Sequence, residues 1–254
     1  MRPSESAARV ADLLNLLADA PRGLGVTAIS EELGIHKSSA SRLLATLAQR
    51  GLLQRGGSGL YSLGPSMIRF AGVAMAGLDL VRHAHAPLVR LSQATRETVN
   101  LAVLDAGQVL YVDQVTGPTT IVTGNWTGRR SPIHVSSSGK AILAFSPPER
   151  IDEMLTDAFD SFTDRTITDP ARFRAVLELV RERGWAHSAD EYEVGLSTVA
   201  APVLIHGRAV AAVSVSGPTF RIPLDQAAPL GDLAIQASRQ IEARAFGGAT
   251  GDQE

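Results

Sequence analysis

The apolar positions in the first third of the chain repeat at the spacing of a helix. Four of them, from Ala40 to Leu47, fall at positions i, i+3, i+4 and i+7, so one side of a helix packs inward. The pattern therefore predicts an amphipathic helix whose outer face offers hydrogen-bonding groups to a partner outside the protein. That face carries Ser38, Ser39, Ser41, Arg42 and Thr46.

A shorter helix and a tight turn precede this one. Thr27 is a candidate N-cap for a helix over Ala28–Leu33. Gly34 ends this helix, which leaves residues 35–36 as the turn. Two short helices joined in this way cross steeply, and the second can lie in the major groove of DNA. The pair is therefore predicted to be a helix-turn-helix.

Two further patterns complete the N-terminal domain. An amphipathic helix at about 5–19 directs apolar residues between Val10 and Leu17 inward. Residues 52–55 and 60–63 are β-rich and flank a Gly-Gly-Ser-Gly turn, which indicates a two-stranded wing. Residues 1–64 are therefore predicted to form a winged helix-turn-helix domain.

Candidate DNA contacts follow from the side chains on this predicted surface. Lys37 and Arg55 can neutralise backbone phosphates, whereas serine, threonine and Arg42 can contact phosphates or base edges. Residues 1–63 contain seven basic and five acidic residues, and the remainder contains 17 basic and 21 acidic residues, so charge favours DNA only modestly. The alternative is a winged helix that serves packing or protein contacts. The candidate DNA-binding residues are Thr27, Lys37, Ser38, Ser39, Ser41, Arg42, Thr46 and Arg55.

A connecting helix is predicted after the wing, over residues 65–79. The segment from Met67 to Gly77 is apolar almost all the way round. Such a helix is too apolar for a solvated linker, which indicates burial against another chain. We therefore predict a homodimer formed through residues 66–78.

Length and composition limit the classes of protein that remain. With 254 residues, of which 44% are hydrophobic, the chain can bury more than a winged helix, so a second domain is expected over 80–246 and a disordered tail over 247–254. The absence of cysteine excludes disulfides, thiolate metal sites and a cysteine nucleophile. The sequence contains no apolar run of about 18 residues, so we expect a cytoplasmic protein with no membrane partner.

The second domain is predicted to be α+β. Residues 98–105 and 108–115 form one expected hairpin, and residues 198–205 and 208–216 form another. Hairpins, rather than strand–helix–strand alternation, indicate an antiparallel sheet flanked by helices. Further strands are predicted at 119–123, 131–135 and 185–188, and helices at 80–91 with a kink or restart at Pro87, at 139–144, at 170–183 and at 225–245.

Many segments over roughly residues 5–246 resemble the IclR family of bacterial transcription regulators. After the helix-turn-helix, the matching segments are 61–65 (YSLGP), 97–103 (ETVNLAV), 132–134 (PIH), 139–144 (GKAILA), 163–169, 183–186 (RGWA), 191–195, 200–203 (AAPV) and 214–218 (SVSGP). The resemblance implies a winged helix-turn-helix, a connecting helix and a GAF-like effector domain that binds a small molecule. It also implies dimers, often paired into tetramers, that bind a palindromic or repeated operator in double-stranded DNA.

The same resemblance implies an effector pocket over the sheet. The start of the predicted helix after Ser136 also suits an anion on physical grounds, because free N–H groups lie there beside serine hydroxyls. The alternative is that these serines only cap the helix. Trp126 either covers the pocket or only packs against neighbouring residues. The implied pocket residues are Ile121, Thr123, Ser136, Ser137, Ser138, Gly139, Ser188, Glu191, Thr198 and Ser214.

The chain departs from the family's commonest pattern around this implied pocket. Three serines precede Gly139, Ser188 stands where an acid is frequent, and Thr198 stands where a cysteine is frequent. The candidate effectors are small carboxylates and aromatic acids, although Ser188 and Thr198 favour a neutral or hydroxyl-bearing molecule.

The alternative function is a serine hydrolase, or another enzyme, in the second domain, with the winged helix as a packing or protein-contact module. Residues 137–140 fit the Ser-x-x-Lys of β-lactamase-like enzymes, but their further lysine motif cannot exist because Lys37 is the only other lysine. His83 and His85 point in different directions on a helix and make a poor metal pair. No catalytic residue or cofactor is expected, although a metal in the effector pocket stays an open alternative. We therefore predict a transcriptional regulator, with repression as the favoured mode of action and activation as the alternative.

Overall fold

The computed structural model describes residues 4–76, 79–118, 124–155 and 158–246. They form two compact units, divided between residues 78 and 79. The predicted strand at 119–123 and the predicted tail at 247–254 lie outside the described residues.

The first unit is a small helical core with a two-stranded wing. Its core contains Leu13 of α1, Ile29 of α2 and Leu44 of α3, each with no exposed surface. In the wing, Leu53 pairs with Leu63 in an antiparallel ladder. The elements are α1 (Glu5–Ala18), α2 (Val26–Glu32), α3 (Lys37–Gln49), β1 (Leu53–Arg55), β2 (Tyr61–Leu63) and α4 (Ser66–Ala76).

The predicted helix-turn-helix is confirmed, but the predicted start of its first helix is wrong. The N-cap of α2 is Gly25, and Thr27 lies within the first turn of the helix. Gly34 follows α2 with φ of 60°, a left-handed conformation that glycine adopts at little cost, and α3 begins at Lys37. The turn between the two helices therefore lies where the sequence predicts a turn.

The second unit is built on one antiparallel sheet of six strands in the order β5-β4-β3-β8-β7-β6. Both predicted hairpins are confirmed, because β3 pairs with β4 and β7 pairs with β8. The strands are β3 (Thr98–Asp105), β4 (Gln108–Val115), β5 (Arg130–Pro132), β6 (Ala186–Ala189), β7 (Leu196–Ile205) and β8 (Arg208–Pro218).

Helices cover both faces of this sheet, so the predicted α+β class is confirmed. One face packs branched residues such as Val99 and Val213 against α5 and α9. The other face packs small residues such as Ala102 and Ala212 against α6 and α8. The helices are α5 (Asp79–Thr95), α6 (Ser137–Ala144), α7 (Pro148–Met154), α8 (Pro170–Arg183) and α9 (Ala227–Phe246).

Some boundaries differ from those predicted. The strand predicted over 131–135 is only β5, and residues 133–135 lead into α6. One helix, α5, runs through Pro87 without a restart. The short helix α7 carries no long apolar stripe, with Ile151 as its buried residue, which explains why the sequence pattern missed it.

Candidate DNA-binding helix and effector pocket

The outer face of α3 is exposed along its length. Its opposite face contains Ala40 and Leu44, which have no exposed surface, and Leu47, which is 7% exposed. Thr46 Oγ1 donates to the carbonyl oxygen of Arg42 at 2.8 Å, so its hydroxyl partly satisfies the helix backbone. The predicted DNA-contact residues on α3 are all exposed: Lys37, Ser38, Ser39, Ser41, Arg42 and Thr46.

Two further predicted DNA contacts lie outside α3. Thr27 is exposed in the first turn of α2. Arg55 is exposed on the wing, where its guanidinium lies 5.6 Å from the centre of the Tyr61 ring. Such a cation–π contact orients the guanidinium while leaving it accessible to a phosphate.

A pocket lies on the α6 face of the sheet in the second unit. The pocket is partly open, and its space measures about 510 Å³ when the solvent at its open side is included. Four polar residues from neighbouring strands line it: Ser188, Thr198, Ser216 and Asn100. Ser188 pairs with Thr198, and Thr198 pairs with Ser216, so their side chains point to the same side of the sheet.

This polar row results from a change of residue type along the strands. On the same face, two residues from Asn100, Thr198 and Ser188, lie Ala102, Ala200 and Ala186, which have no exposed surface. The alanines pack in the cluster that contains α6 residues, whereas the polar residues line the pocket. Because side chains alternate along a strand, a step of two residues stays on one face and leads from the packed part of that face to the part that lines the pocket.

Aromatic rings form another wall of the pocket. Trp126 meets Tyr111 and Tyr192 edge to face, with ring centres 5.2 and 5.9 Å apart. The Trp126 backbone N–H donates to Gln114 Oε1 at 2.8 Å, and Gln114 Nε2 donates to the Gly124 carbonyl at 3.1 Å. Burial raises the pKa of the Tyr111 phenol, which therefore stays protonated at neutral pH. Trp126 lines the pocket, so the structure supports a role in the pocket wall over packing alone.

The start of α6 reaches the pocket through its N-cap. Ser136 lines the pocket, and its Oγ accepts from the Gly139 N–H at 3.0 Å. Ser137 and Ser138 are each 1% exposed and lie in the first turn behind the pocket wall. A Cβ on Gly139 would lie 2.3 Å from the Ile133 carbonyl oxygen, so glycine allows α6 to pack closely on the preceding segment.

A buried ion pair lies behind the pocket. Lys140 has no exposed surface, and its Nζ donates to Glu191 Oε1 at 2.5 Å and to the His187 carbonyl at 3.2 Å. Burial lowers the pKa of Lys140 and raises that of Glu191, while each partner opposes the shift of the other. Burial, followed by Lys140 and Arg183, lowers the pKa of His187 to about 4.

This ion pair joins two parts of the pocket wall. Lys140 lies one turn after Ser136 in α6, and Glu191 directly precedes Tyr192. Ser188 Oγ donates to the Val135 carbonyl at 2.7 Å and adds a second link between the same segments.

The implied effector residues therefore separate into three groups. Ser136, Ser188 and Thr198 line the pocket, while Ile121 and Thr123 lie outside the described residues. The other five residues do not line the pocket and belong to the segments that support its wall: Ser137, Ser138, Gly139, Glu191 and Ser214. Besides Tyr111 and Tyr192, the sequence prediction missed Asn100, Ser131, Val135, Leu196 and Ser216. Of these, Asn100 and Ser216 were visible as polar residues between apolar neighbours in the two predicted hairpins.

In the ranges the structure describes, no three His, Asp or Glu residues are grouped to hold a metal ion. Within the same ranges, no helix combines the length and apolar character needed to cross a membrane.

Comparison with known proteins gives consistent matches to both units. The family model described as IclR helix-turn-helix domain matches residues 6–57, and that described as Bacterial transcriptional regulator IclR C-terminal matches residues 73–243. The HTH-type transcriptional regulator BhcR of Paracoccus denitrificans is 36% identical over 236 residues, which cover 92% of this chain and 84% of that protein.

Two further matches add a repressor and a ligand-bound structure. The Transcriptional repressor IclR of Escherichia coli is 28% identical over 249 residues, covering 96% of this chain and 90% of that protein. The crystal structure of an IclR homologue from Microbacterium hydrocarbonoxydans, complexed with 4-hydroxybenzoate, superposes with a TM-score of 0.83 at 26% identity. The match covers 95% of this chain and 99% of that one.

Proposed function

The chain belongs to the IclR family of bacterial transcriptional regulators, and on that basis we propose that it represses transcription from an operator which it binds through the exposed face of α3. It is a DNA-binding regulator and not an enzyme. The relatives that it matches are likewise transcriptional regulators. The Ser-x-x-Lys segment agrees with this, because Lys140 is engaged in a buried ion pair with Glu191.

The exposed polar face of α3 is the observation that carries the DNA proposal. Its serines, threonine and Arg42 lie opposite the buried stripe of the same helix. Packing of that stripe holds the helix in place, while the polar side chains stay exposed and can contact DNA. A helix of this kind presents its first turns to base edges in the major groove, while Lys37 and Arg55 contact phosphates.

Replacing Arg42 with alanine is expected to weaken operator binding by about 1–3 kcal/mol if its guanidinium reads a base. Fluorescence anisotropy with labelled DNA from the chain's own promoter region measures this loss. If Arg42 instead contacts phosphate, the loss is similar on unrelated DNA and the salt dependence becomes shallower.

The matched control is Arg165→Ala, which removes the same charge from an exposed position in the second unit. Its promoter affinity should equal that of the wild type. Equal losses in the two variants would mean that net charge, and not the α3 surface, determines binding. An undiminished affinity of Arg42→Ala would remove Arg42 from the DNA interface.

We infer that two copies associate through α4, as its sequence predicts. Ile68 is 77% exposed and Phe70 is 46% exposed in the first half of this helix, and large exposed apolar side chains favour association with another surface. A homodimer would present two copies of α3 to the two halves of a palindromic operator. A dimer of dimers is the larger assembly that we propose.

Replacing Ile68 with glutamate should shift the protein from dimer to monomer, because the carboxylate would have to be buried in the interface. Sedimentation equilibrium measures the mass. The control is Leu179→Glu, the same kind of change at a side chain of α8 that is 55% exposed. If both variants keep the mass of the wild type, α4 does not form the interface.

The pocket supports a proposal that a small carboxylate or aromatic acid controls DNA binding. Its aromatic wall and hydroxyl groups suit such a molecule, and the homologue from Microbacterium hydrocarbonoxydans was crystallised with 4-hydroxybenzoate. A ligand that prefers one arrangement of the dimer would change operator affinity by on the order of 1–3 kcal/mol, and DNA would change ligand affinity by the same factor.

A further inference from the structure

Asn100 presents an unsatisfied acceptor in the pocket wall. The residue is 3% exposed, and its Nδ2 donates to Ser216 Oγ at 3.4 Å. Its Oδ1 is buried and has no hydrogen-bond partner among the residues that the structure describes. A buried polar atom without a partner is costly, so this position favours a molecule that supplies the missing hydrogen bond.

An amide oxygen is more selective than the hydroxyls around it. The Ser136, Thr198 and Ser216 hydroxyls can turn to donate or to accept, whereas Asn100 Oδ1 can only accept. A ligand atom that faces Oδ1 must therefore carry a hydrogen. A methyl group or a carboxylate oxygen at the same place leaves the acceptor unpaired or adds repulsion between two acceptors.

The remaining wall determines what carries this donor group. Rings of Tyr111, Trp126 and Tyr192, together with Val135 and Leu196, enclose the pocket with flat and apolar surfaces. Such surfaces suit a planar ring, because aromatic pairs gain from edge-to-face and offset contacts. In the described part of the chain, no Lys, Arg or His side chain lines the pocket, so orientation depends on hydrogen bonds.

We propose that Asn100 determines the specificity of the pocket for aromatic effectors that carry a ring hydroxyl or amino group, which donates to Asn100 Oδ1. This inference rests on the proposed function, since it requires the pocket to be the effector site. Asn100 thereby distinguishes a hydroxy aromatic acid from the acid that lacks the hydroxyl.

The test uses pairs of probes that differ at one ring substituent. Binding of 4-hydroxybenzoate, 4-methylbenzoate, 3-hydroxybenzoate and 3-methylbenzoate to the full-length protein is measured by isothermal titration calorimetry. The hydroxy acid of at least one pair should bind about tenfold more tightly than its methyl partner, because only the hydroxyl satisfies the buried acceptor. Equal affinity within both pairs, or no binding of any probe, overturns the inference.

Two variants locate the effect at Asn100. Asn100→Leu should abolish the preference for the hydroxy acid. Ser214→Ala should retain it, because Ser214 lies directly opposite Asn100 in the sheet and is 2% exposed but does not line the pocket. A preference that persists in Asn100→Leu overturns the inference even if the probes still bind.

A third variant separates this inference from the proposed effector site. Thr198→Trp fills the pocket and should abolish binding of every probe. If the probes bind this variant as they bind the wild type, the pocket is not the effector site and both proposals fail. If Thr198→Trp abolishes binding while Asn100→Leu leaves the preference unchanged, only the role of Asn100 is wrong.

Discussion

Replacing Lys140 with methionine is expected to lower the free energy of unfolding of the second unit by about 3–5 kcal/mol. The change leaves the Glu191 carboxylate buried, with its Oε1 deprived of the ammonium and its Oε2 already without a partner among the described residues. Urea unfolding followed by tryptophan fluorescence measures the loss. Both tryptophans, Trp126 and Trp185, belong to the second unit, so the signal reports that unit alone.

The chain offers a matched control, because Lys37 is its only other lysine. Lys37→Met makes the same chemical change on the exposed surface of α3 and should leave the tryptophan transition where it is. An unchanged transition in Lys140→Met would show that the ion pair contributes nothing to stability.

The pH dependence identifies the cause of the loss. Burial already raises the pKa of Glu191 above its ordinary 4.5, and removing Lys140 takes away the charge that opposes this rise. A carboxyl whose pKa is raised by folding costs no stability below its unfolded pKa, and the cost grows as pH rises through the folded pKa. The deficit of Lys140→Met should therefore be largest at neutral pH and should shrink towards pH 4.5.

A double variant separates the buried charge from simple loss of packing. Lys140→Met combined with Glu191→Leu removes both charges, and apolar replacements of a buried ion pair are often neutral or stabilising. The double variant should therefore recover most of the loss of Lys140→Met. A double variant as unstable as the single one would assign the loss to packing instead.

Local signals explain which elements could be predicted from the sequence. Helix α8 has its predicted bounds because three terminal signals agree: the Asp169 side chain accepts from Ala171 N–H at 2.9 Å, Pro170 occupies the first turn, and Gly184 ends the helix with φ of 81°. Both hairpins had equally local signals, with apolar runs on either side of a turn ending in glycine. By contrast, α7 has one buried side chain and thus no periodic pattern.

The pocket could be predicted only in part, because its members meet through strand register. Asn100 and Ser216 are 116 residues apart and meet because β3 pairs with β8. Lys140 and Glu191 are likewise 51 residues apart, and no local pattern links them. The resemblance to a family brought such segments together, but it could not separate residues that line the pocket from those that support its wall.

Gly139 is such a supporting residue, and its replacement with alanine is expected to destabilise the second unit by about 3 kcal/mol or more. The added Cβ would meet the backbone of Ile133, at 2.3 Å from its carbonyl oxygen and 2.7 Å from its Cα. Backbone atoms cannot move aside as a side chain can, so the start of α6 must shift. The same urea experiment should show the loss with no effector present.

Ser137→Ala is the control for Gly139→Ala, because it changes a neighbouring buried position without adding volume. Ser137 Oγ has no hydrogen-bond partner within the described ranges, so its removal should be neutral or slightly stabilising. A normal unfolding transition in Gly139→Ala, combined with loss of binding of aromatic acids, would instead return Gly139 to the effector site. Glycine at this position lets α6 approach the Ile133 backbone closely. We therefore expect the main effect of Gly139→Ala to be a lower stability of the second unit, measured in the absence of ligand.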